Sequence, residues 1–162
     1  HARTRKQMSK VPADWSKIRR CVEIRDNWFN SKKVWRKIPE HARTLVFGNG
    51  DAIDKEDAYE KTRATGCDGV MIGRGIFGNP WLFGEIKREN VPLAERLRVM
   101  VRHTKIFEQE LPFKNFAIMK KHYKAYIDGF DGAKELRTHL MECNTAREVE
   151  EIVEKFIKSE GL

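Results

Sequence analysis

Twice in this chain a short apolar run ends in a glycine turn, with one helix between the two. The first run is Leu45-Val46-Phe47, closed by Gly48-Asn49-Gly50-Asp51. The second is Gly69-Val70-Met71-Ile72, closed by Gly73-Arg74-Gly75-Ile76-Phe77-Gly78. Between them Asp54, with Glu56 and Asp57, reads as an N-cap and an acidic first turn. Gly66 stands where a glycine ends a helix. Asn-Gly signals a hairpin only when a second strand follows at once, and none does. The order strand, turn, helix, strand, turn predicts an α/β fold with parallel strands buried on both faces and the turns at one end of the sheet.

The flanking segments read differently. Residues 1–14 carry no period and are expected to be a loop. Trp15, Ile18 and Val22 have helical spacing; residues 26–40 are ambiguous, and Pro39 ends whatever helix they form. After about residue 88 only helices are expected. One apolar face takes Leu93, Leu97, Met100, Val101, Phe107 and Leu111; another takes Phe116, Met119, Tyr123, Tyr126 and Ile127. Lys114, Lys120, Lys121 and Lys124 fall opposite that second face. Leu136, Leu140 and Cys143 form a third stripe. Thr145 with Glu148 fits a capping box that opens a last helix. The expected organisation is an α/β part at 1–88, a linker near Glu89–Pro92, and a small helical bundle at 92–162.

The turns suggest chemistry. Gly73 to Gly78 spells G-x-G-x-x-G, but a dinucleotide fold needs a further strand and an acidic residue about 20 positions on. Here helices follow, and Glu95 lies on one of them. The physical use of the glycines survives: backbone N–H groups can approach an anion, and Arg74 adds a charged fork. The alternative is a pair of connecting turns without a ligand. His1-Ala2-Arg3-Thr4-Arg5 is a polar cluster suited to phosphate; His41-Ala42-Arg43-Thr44 repeats it before a strand and is taken as chance. No metal cluster or Ser/His/Asp set is present.

Charge points the same way. Of a net +8, residues 1–50 carry 13 Lys/Arg against 4 Asp/Glu, and the remainder 19 against 20. A basic excess at one end, interleaved with Trp15, Trp28, Phe29 and Trp35, suits a polyanion or a solvated surface. Three scattered cysteines (Cys21, Cys67, Cys143) give no disulfide framework, and Cys67 reads as structural. No run approaches a membrane span, and residues 1–20 hold no signal-like stretch, so the cytoplasm is expected.

These residues resemble the tRNA-dihydrouridine synthase family. The likeness runs through His1-Ala2-Arg3-Thr4-Arg5, Ala13-Asp14-Trp15-Ser16-Lys17-Ile18 and Gly48-Asn49-Gly50-Asp51. It is most specific in Thr65-Gly66-Cys67-Asp68-Gly69-Val70-Met71-Ile72-Gly73-Arg74-Gly75 and Gly78-Asn79-Pro80-Trp81. Weaker matches follow at Lys120-Lys121-His122-Tyr123 and Gly132-Ala133-Lys134-Glu135-Leu136-Arg137. The resemblance implies the C-terminal portion of an FMN-binding TIM (β/α)8 barrel, then an all-α domain that binds RNA. It implies reduction of uridine in tRNA to 5,6-dihydrouridine with FMN and NAD(P)H, by an intact protein expected to be a monomer. Its cofactor residues would be His1, Asn49, Gly50, Asp51, Gly73 and Arg74. Arg3, Lys114, Lys120, Lys121, His122 and Lys124 would face tRNA.

The family's catalytic cysteine lies in the first half of the barrel, and no cysteine here stands in a matching motif. A complete barrel needs about 250 residues, against 162 here. With His1 in place of methionine, the chain is expected to be part of a longer enzyme, inactive alone, with strand edges and apolar faces left open. The spacing from Asp14 to Asn49 exceeds the family's; the extra segment, Asn27–Lys37, is either an RNA-contacting insertion or an enlarged surface helix. A non-catalytic RNA-binding module, or a piece of another FMN barrel such as a dihydroorotate dehydrogenase, are the alternative readings.

Overall fold

The computed structural model describes residues 1–7, 10–36 and 39–162. They divide into two compact units, His1–Ile76 and Phe77–Leu162. Among the described residues no helix is long and apolar enough to cross a membrane.

The first unit begins with a loop and then α1 (Trp15–Arg36). The helix therefore runs through most of the ambiguous segment; Lys37 and the Trp35 side chain lie outside what is described. A 3-10 turn (Glu40–Ala42) leads to β1 (Phe47–Asn49), α2 (Lys55–Thr65) and β2 (Gly69–Met71). The strands are parallel, in the register Phe47↔Gly69, Gly48↔Val70 and Asn49↔Met71. The local signals around α2 act as read: Asp54 accepts the Asp57 N–H, and Gly66 closes the helix at φ 71° with its N–H on the Thr62 carbonyl.

β1 starts two residues later than the apolar run suggested. Val46 is bonded, but across the strand start: its N–H donates to the Asp68 carboxylate (2.7 Å), and its carbonyl accepts the Asp68 N–H (2.9 Å). Gly48 then belongs in the strand because a Cβ there would run into the Trp15 indole. That indole donates to the Gly50 carbonyl at 2.9 Å, fixing the start of α1 over β1. Ala2, Ile18, Val22 and Cys67 are buried together, with Ala13, Trp15, Val46 and Val70 packed on them.

Burial of both strand faces does not hold for this chain. Leu45, Phe47, Ile53 and Met71 are all more than half exposed. Two strands and the helices beside them cover one side only, so alternate side chains meet solvent.

Asp68 ties the unit together. It accepts from Arg25, from Arg43 (2.5 Å) and from the Val46 N–H. Arg25, itself buried, also pairs with Asp26 at 2.8 Å. Burial pushes the Asp68 carboxyl up, but the Val46 N–H and the two guanidinium groups outweigh it and hold the group below the usual carboxylate range.

The second unit is helical. After a 3-10 turn (Arg88–Asn90) come α3 (Leu93–Glu110), α4 (Ala117–Tyr126), α5 (Ala133–Glu142) and α6 (Ala146–Glu160). α3 packs on α4 and α6, and α5 packs on the same two, closing a four-helix core. Leu97, Met100, Met119, Tyr123, Ile127, Leu140, Val149 and Val153 are fully buried in it. Thr145 accepts the Glu148 N–H, while the Glu148 carboxylate accepts the Asn144 N–H, one residue before the capping-box partner. Gly78, at φ 68°, sits so close to the Ala125–Tyr126 backbone that any Cβ would collide with it. The third glycine of the G-x-G-x-x-G string is thus a packing glycine on the end of α4.

Replacing Asp68 by Asn should cost about 2 kcal/mol, because buried Arg25 keeps only Asp26 as a counter-charge and Arg43 loses one of its two. Urea unfolding of the chain measures it. In the parent, Asp68's contribution is complete above about pH 4, the unfolded-state carboxylate value. It is lost as pH falls through the lower folded value. The urea-midpoint gap between parent and Asp68→Asn should therefore narrow only under acid conditions.

Candidate functional site

The carboxyl ends of β1 and β2 carry the two glycine turns, and a cavity of about 510 Å³ opens between them, with His1, Arg3 and Ile53 also on its wall. Asp51 is the organising group. Its Oδ1 accepts from Arg3 Nη2 (2.5 Å) and Arg74 Nη2 (2.9 Å); its Oδ2 accepts the Ala13 N–H (2.9 Å). Asp51 is the one described non-glycine residue with a positive φ, 53°, which aims its carboxylate back toward these donors. The Ala13 N–H, then Arg3 and Arg74, hold that carboxyl below the usual range against the opposing effect of burial.

The neighbouring atoms are equally committed. Asn49 donates from Nδ2 to the Met71 carbonyl (2.9 Å), lacing the two turns together, and its own carbonyl accepts the Ala2 N–H (3.2 Å). Gly50 adopts φ 130°, and a Cβ there would press on Ala13 and the His1 ring. Nothing lies within 4 Å of where a Gly73 Cβ would be, so that backbone is open to an approaching group. Arg74 holds its guanidinium largely exposed, while the Arg3 side chain is 5% exposed. The Arg3 Nε is buried without a hydrogen-bond partner. Two guanidinium groups against one carboxylate leave the pocket positive, so its chemistry is anion binding.

The structure brings together His1, Asn49, Gly50, Asp51, Gly73 and Arg74 around that cavity. It also brings in Arg3, placed with the tRNA-facing residues by resemblance. Its burial and its bonds to Asp51 and the Val11 carbonyl (2.7 Å) make it an internal support of the pocket instead. Sequence reasoning missed Ala13 and Ile53. Ala13 acts through its backbone N–H, which no side-chain pattern announces.

The remaining residues assigned to RNA lie in the helical unit and are unlike one another. Lys121 and Lys124 are exposed on α4. Lys114 is exposed in the α3–α4 turn with its Nζ 5.4 Å from the Phe113 ring centre. Lys120 is spent: its Nζ donates to the Met141 carbonyl at the end of α5 (2.6 Å). His122 turns inward, edge-on to Phe77 at 4.9 Å and 5.2 Å from the His103 ring. Burial, then His103 and Lys121, push its pKa down, which disfavours the charged form that would meet a phosphate.

Strand-end glycine turns around a carboxylate-braced arginine pair define an anion-binding site of the α/β class, at the end of the sheet where such sites form. The chain belongs to the dihydrouridine synthase family, whose pattern matches residues 1–160. It is 35% identical over 158 residues to a Staphylococcus epidermidis protein named probable tRNA-dihydrouridine synthase, covering 96% of this chain and 44% of that one. A Staphylococcus aureus protein of the same name matches equally. A third so named, from Mycobacterium leprae, is 34% identical over 159 residues, 93% of this chain and 37% of its own length. The chain thus spans less than half the length of the curated relatives it matches, and the family membership sets aside the dihydroorotate dehydrogenase reading.

The two turns differ in what they tolerate. Gly50→Ala should cost about 2 kcal/mol, from the unfavourable φ and the clash with Ala13. Gly73→Ala, with open space around it, should cost less than about 1 kcal/mol. Paired thermal and urea melts measure both.

Proposed function

We propose that this chain provides the phosphate-holding end of an FMN site and the RNA-binding helices of a tRNA-dihydrouridine synthase. In this reading residues 1–88 are the C-terminal part of a TIM (β/α)8 barrel and residues 92–162 the RNA-binding domain. The observation that carries it is the Asp51 carboxylate braced between Arg3 and Arg74 in the cavity that the open Gly73 backbone also lines.

The residues present fit the cofactor. The cavity is within the size range of small-molecule sites, about 300–1,000 Å³. Its net charge suits a phosphate monoester, and the open backbone at Gly73 permits close contact. Arg74 would pair with the phosphate, with the Gly73–Arg74 turn cradling it. Asn49, Gly50 and His1 would line the ribityl path. Arg3 and Asp51 would not touch the flavin; they hold Arg74 in position. Bound there, FMN supplies the reducing equivalents for uridine, renewed from NAD(P)H.

A protonating cysteine is not part of this site. Cys67 and Cys143 are buried, and Cys21 lies exposed on α1. The 162 residues alone are therefore expected to form no dihydrouridine from unmodified tRNA, FMN and NADPH.

Flavin fluorescence titrations of FMN and riboflavin test the site. The chain should prefer FMN, and Arg74→Ala should abolish most of that preference, a loss of about tenfold for one charge-assisted contact. Equal affinity for the two flavins would remove the phosphate assignment.

Exposed Lys121 and Lys124 support the tRNA role of the helices. Replacing both by Gln should weaken tRNA binding and lower the slope of log K against log salt by about 2. Arg74→Ala should leave that slope unchanged.

A further inference from the structure

Two histidines lie side by side between α3 and α4. The rings of His103 and His122 are 5.2 Å apart, centre to centre. His122 meets Phe77 edge-on at 4.9 Å, and His103 meets the Tyr126 ring at 6.0 Å. The Tyr126 hydroxyl lies 3.4 Å from His103 Nδ1. On α4, His122 and Tyr126 are one helical turn apart, so one face presents both to His103. Gly78 packs on the Ala125–Tyr126 backbone of the same helix. Phe77 and Gly78, where the chain enters the helical unit, are therefore seated on α4 at two adjacent points.

Among the described residues nothing at this cluster offsets a positive charge. Both histidines are half-buried, and no carboxylate pairs with either ring. The α6 carboxylates that reach α3, Glu150 and Glu154, are held by Lys105 and Arg98. Glu108 of α3 accepts the Ala146 N–H. α5 meets α4 through Lys120, whose Nζ is on the Met141 carbonyl. The other charges at α4 are positive: Lys121 beside His122, and Arg88 on the Ala125 and Tyr126 carbonyls. Burial pushes the Tyr126 pKa up, so that group stays a hydroxyl.

Two imidazolium rings at this separation repel, and each leaves water without a counter-ion. The pair takes up protons in linked steps, the first opposing the second. Burial lowers the pKa of both, and at His122 the neighbouring His103 and Lys121 add to it.

We propose that His103 and His122 form a proton-sensitive clasp: with both rings neutral it holds Phe77 and α3 against α4, and proton uptake by the pair opens it. The neutral form is favoured by folding. The clasp therefore contributes in full above about pH 6.5, the unfolded-state histidine value, and its contribution is lost as pH falls below that. Asp68 is silent in this window, because its contribution is lost only below about pH 4. The clasp depends on neither the flavin nor the RNA reading.

The test uses the whole chain, His103→Gln, His122→Gln and the double variant, from about pH 8 to about pH 5.5. Histidine Cε1–H resonances are followed by NMR, and urea midpoints are measured alongside. In the parent both rings should titrate below the ordinary value. The nuclear Overhauser contact between the Phe77 and His122 rings should be lost as they do. The parent's urea midpoint should fall across the range, and that of the double variant should fall much less. In His103→Gln the His122 step should move up in pH, because its charged neighbour is gone.

Independent titration of both rings at the ordinary value overturns the proposal. So does a His122 step above that value, as cation–π pairing with Phe77 would give. An equal fall of the urea midpoint in parent and double variant overturns it as well. If the variants do not fold, the parent's resonances decide alone. Low steps with loss of the Phe77 contact support the clasp, and low steps with that contact intact leave only a buried pair and overturn it.

Discussion

One carboxylate, Asp51, joins three stretches of chain that are distant in sequence. It accepts from Arg3 in the first loop, from the Ala13 backbone before α1, and from Arg74 after β2. Without it the loop that brings His1 to the cavity has no ionic tie to the strand ends. Arg74 also loses the contact that sets its direction. The glycine turns provide open backbone, but a site needs a fixed charge beside that backbone, and Asp51 fixes it.

The opposite end of the same two strands repeats the chemistry to a different end. Asp68, immediately before β2, also binds two arginines and one backbone N–H. Its side chain is 12% exposed, against 33% for Asp51. Arg25 is buried at that end, whereas Arg74 is 63% exposed at the other. With Asp68 and Arg25 themselves nearly closed to solvent, the Asp68 cluster holds α1 to the sheet. Open to a cavity, the Asp51 cluster keeps an accessible guanidinium. Identical residue types thus become a staple or a site according to which end of a parallel sheet they occupy, and only the carboxyl end presents the turns.

Features set by local chemistry could be read directly. The Asp54 cap, the Gly66 stop and the four amphipathic helices all depend on neighbours within one turn or one period, and the strand–helix–strand order implied the parallel pair. What could not be read depends on distant partners. The start of β1 shifted because Asp68, 22 residues away, takes the Val46 N–H. Lys120 shares its stripe with Lys121 and Lys124, yet the end of α5 captures it. His122 stands beside two lysines in sequence but faces Phe77 and His103. The two strand-end turns were legible because glycines and Arg74 advertise themselves; Ala13, contributing only an N–H, leaves no such mark.

The charge count needs the same correction. The basic front end suggested a broad polyanion surface, but folding spends much of its charge internally. Arg3 goes to Asp51, Arg25 to Asp26 and Asp68, and Arg43 to the same two aspartates. Arg19 caps the Ala64 carbonyl. Lys17 and Arg20 remain well exposed on α1 beside Ile24 and Trp28, each with 55% of its surface in solvent. Net charge therefore overstates what an RNA would meet in the first unit. In the helical unit the charges nearly cancel, 15 Lys/Arg against 14 Asp/Glu over residues 77–162, yet Lys121, Lys124, Arg88 and Arg96 stand without ion pairs among the described residues. Where the positive charge is unspent, rather than where it is most abundant, is what a phosphate backbone senses.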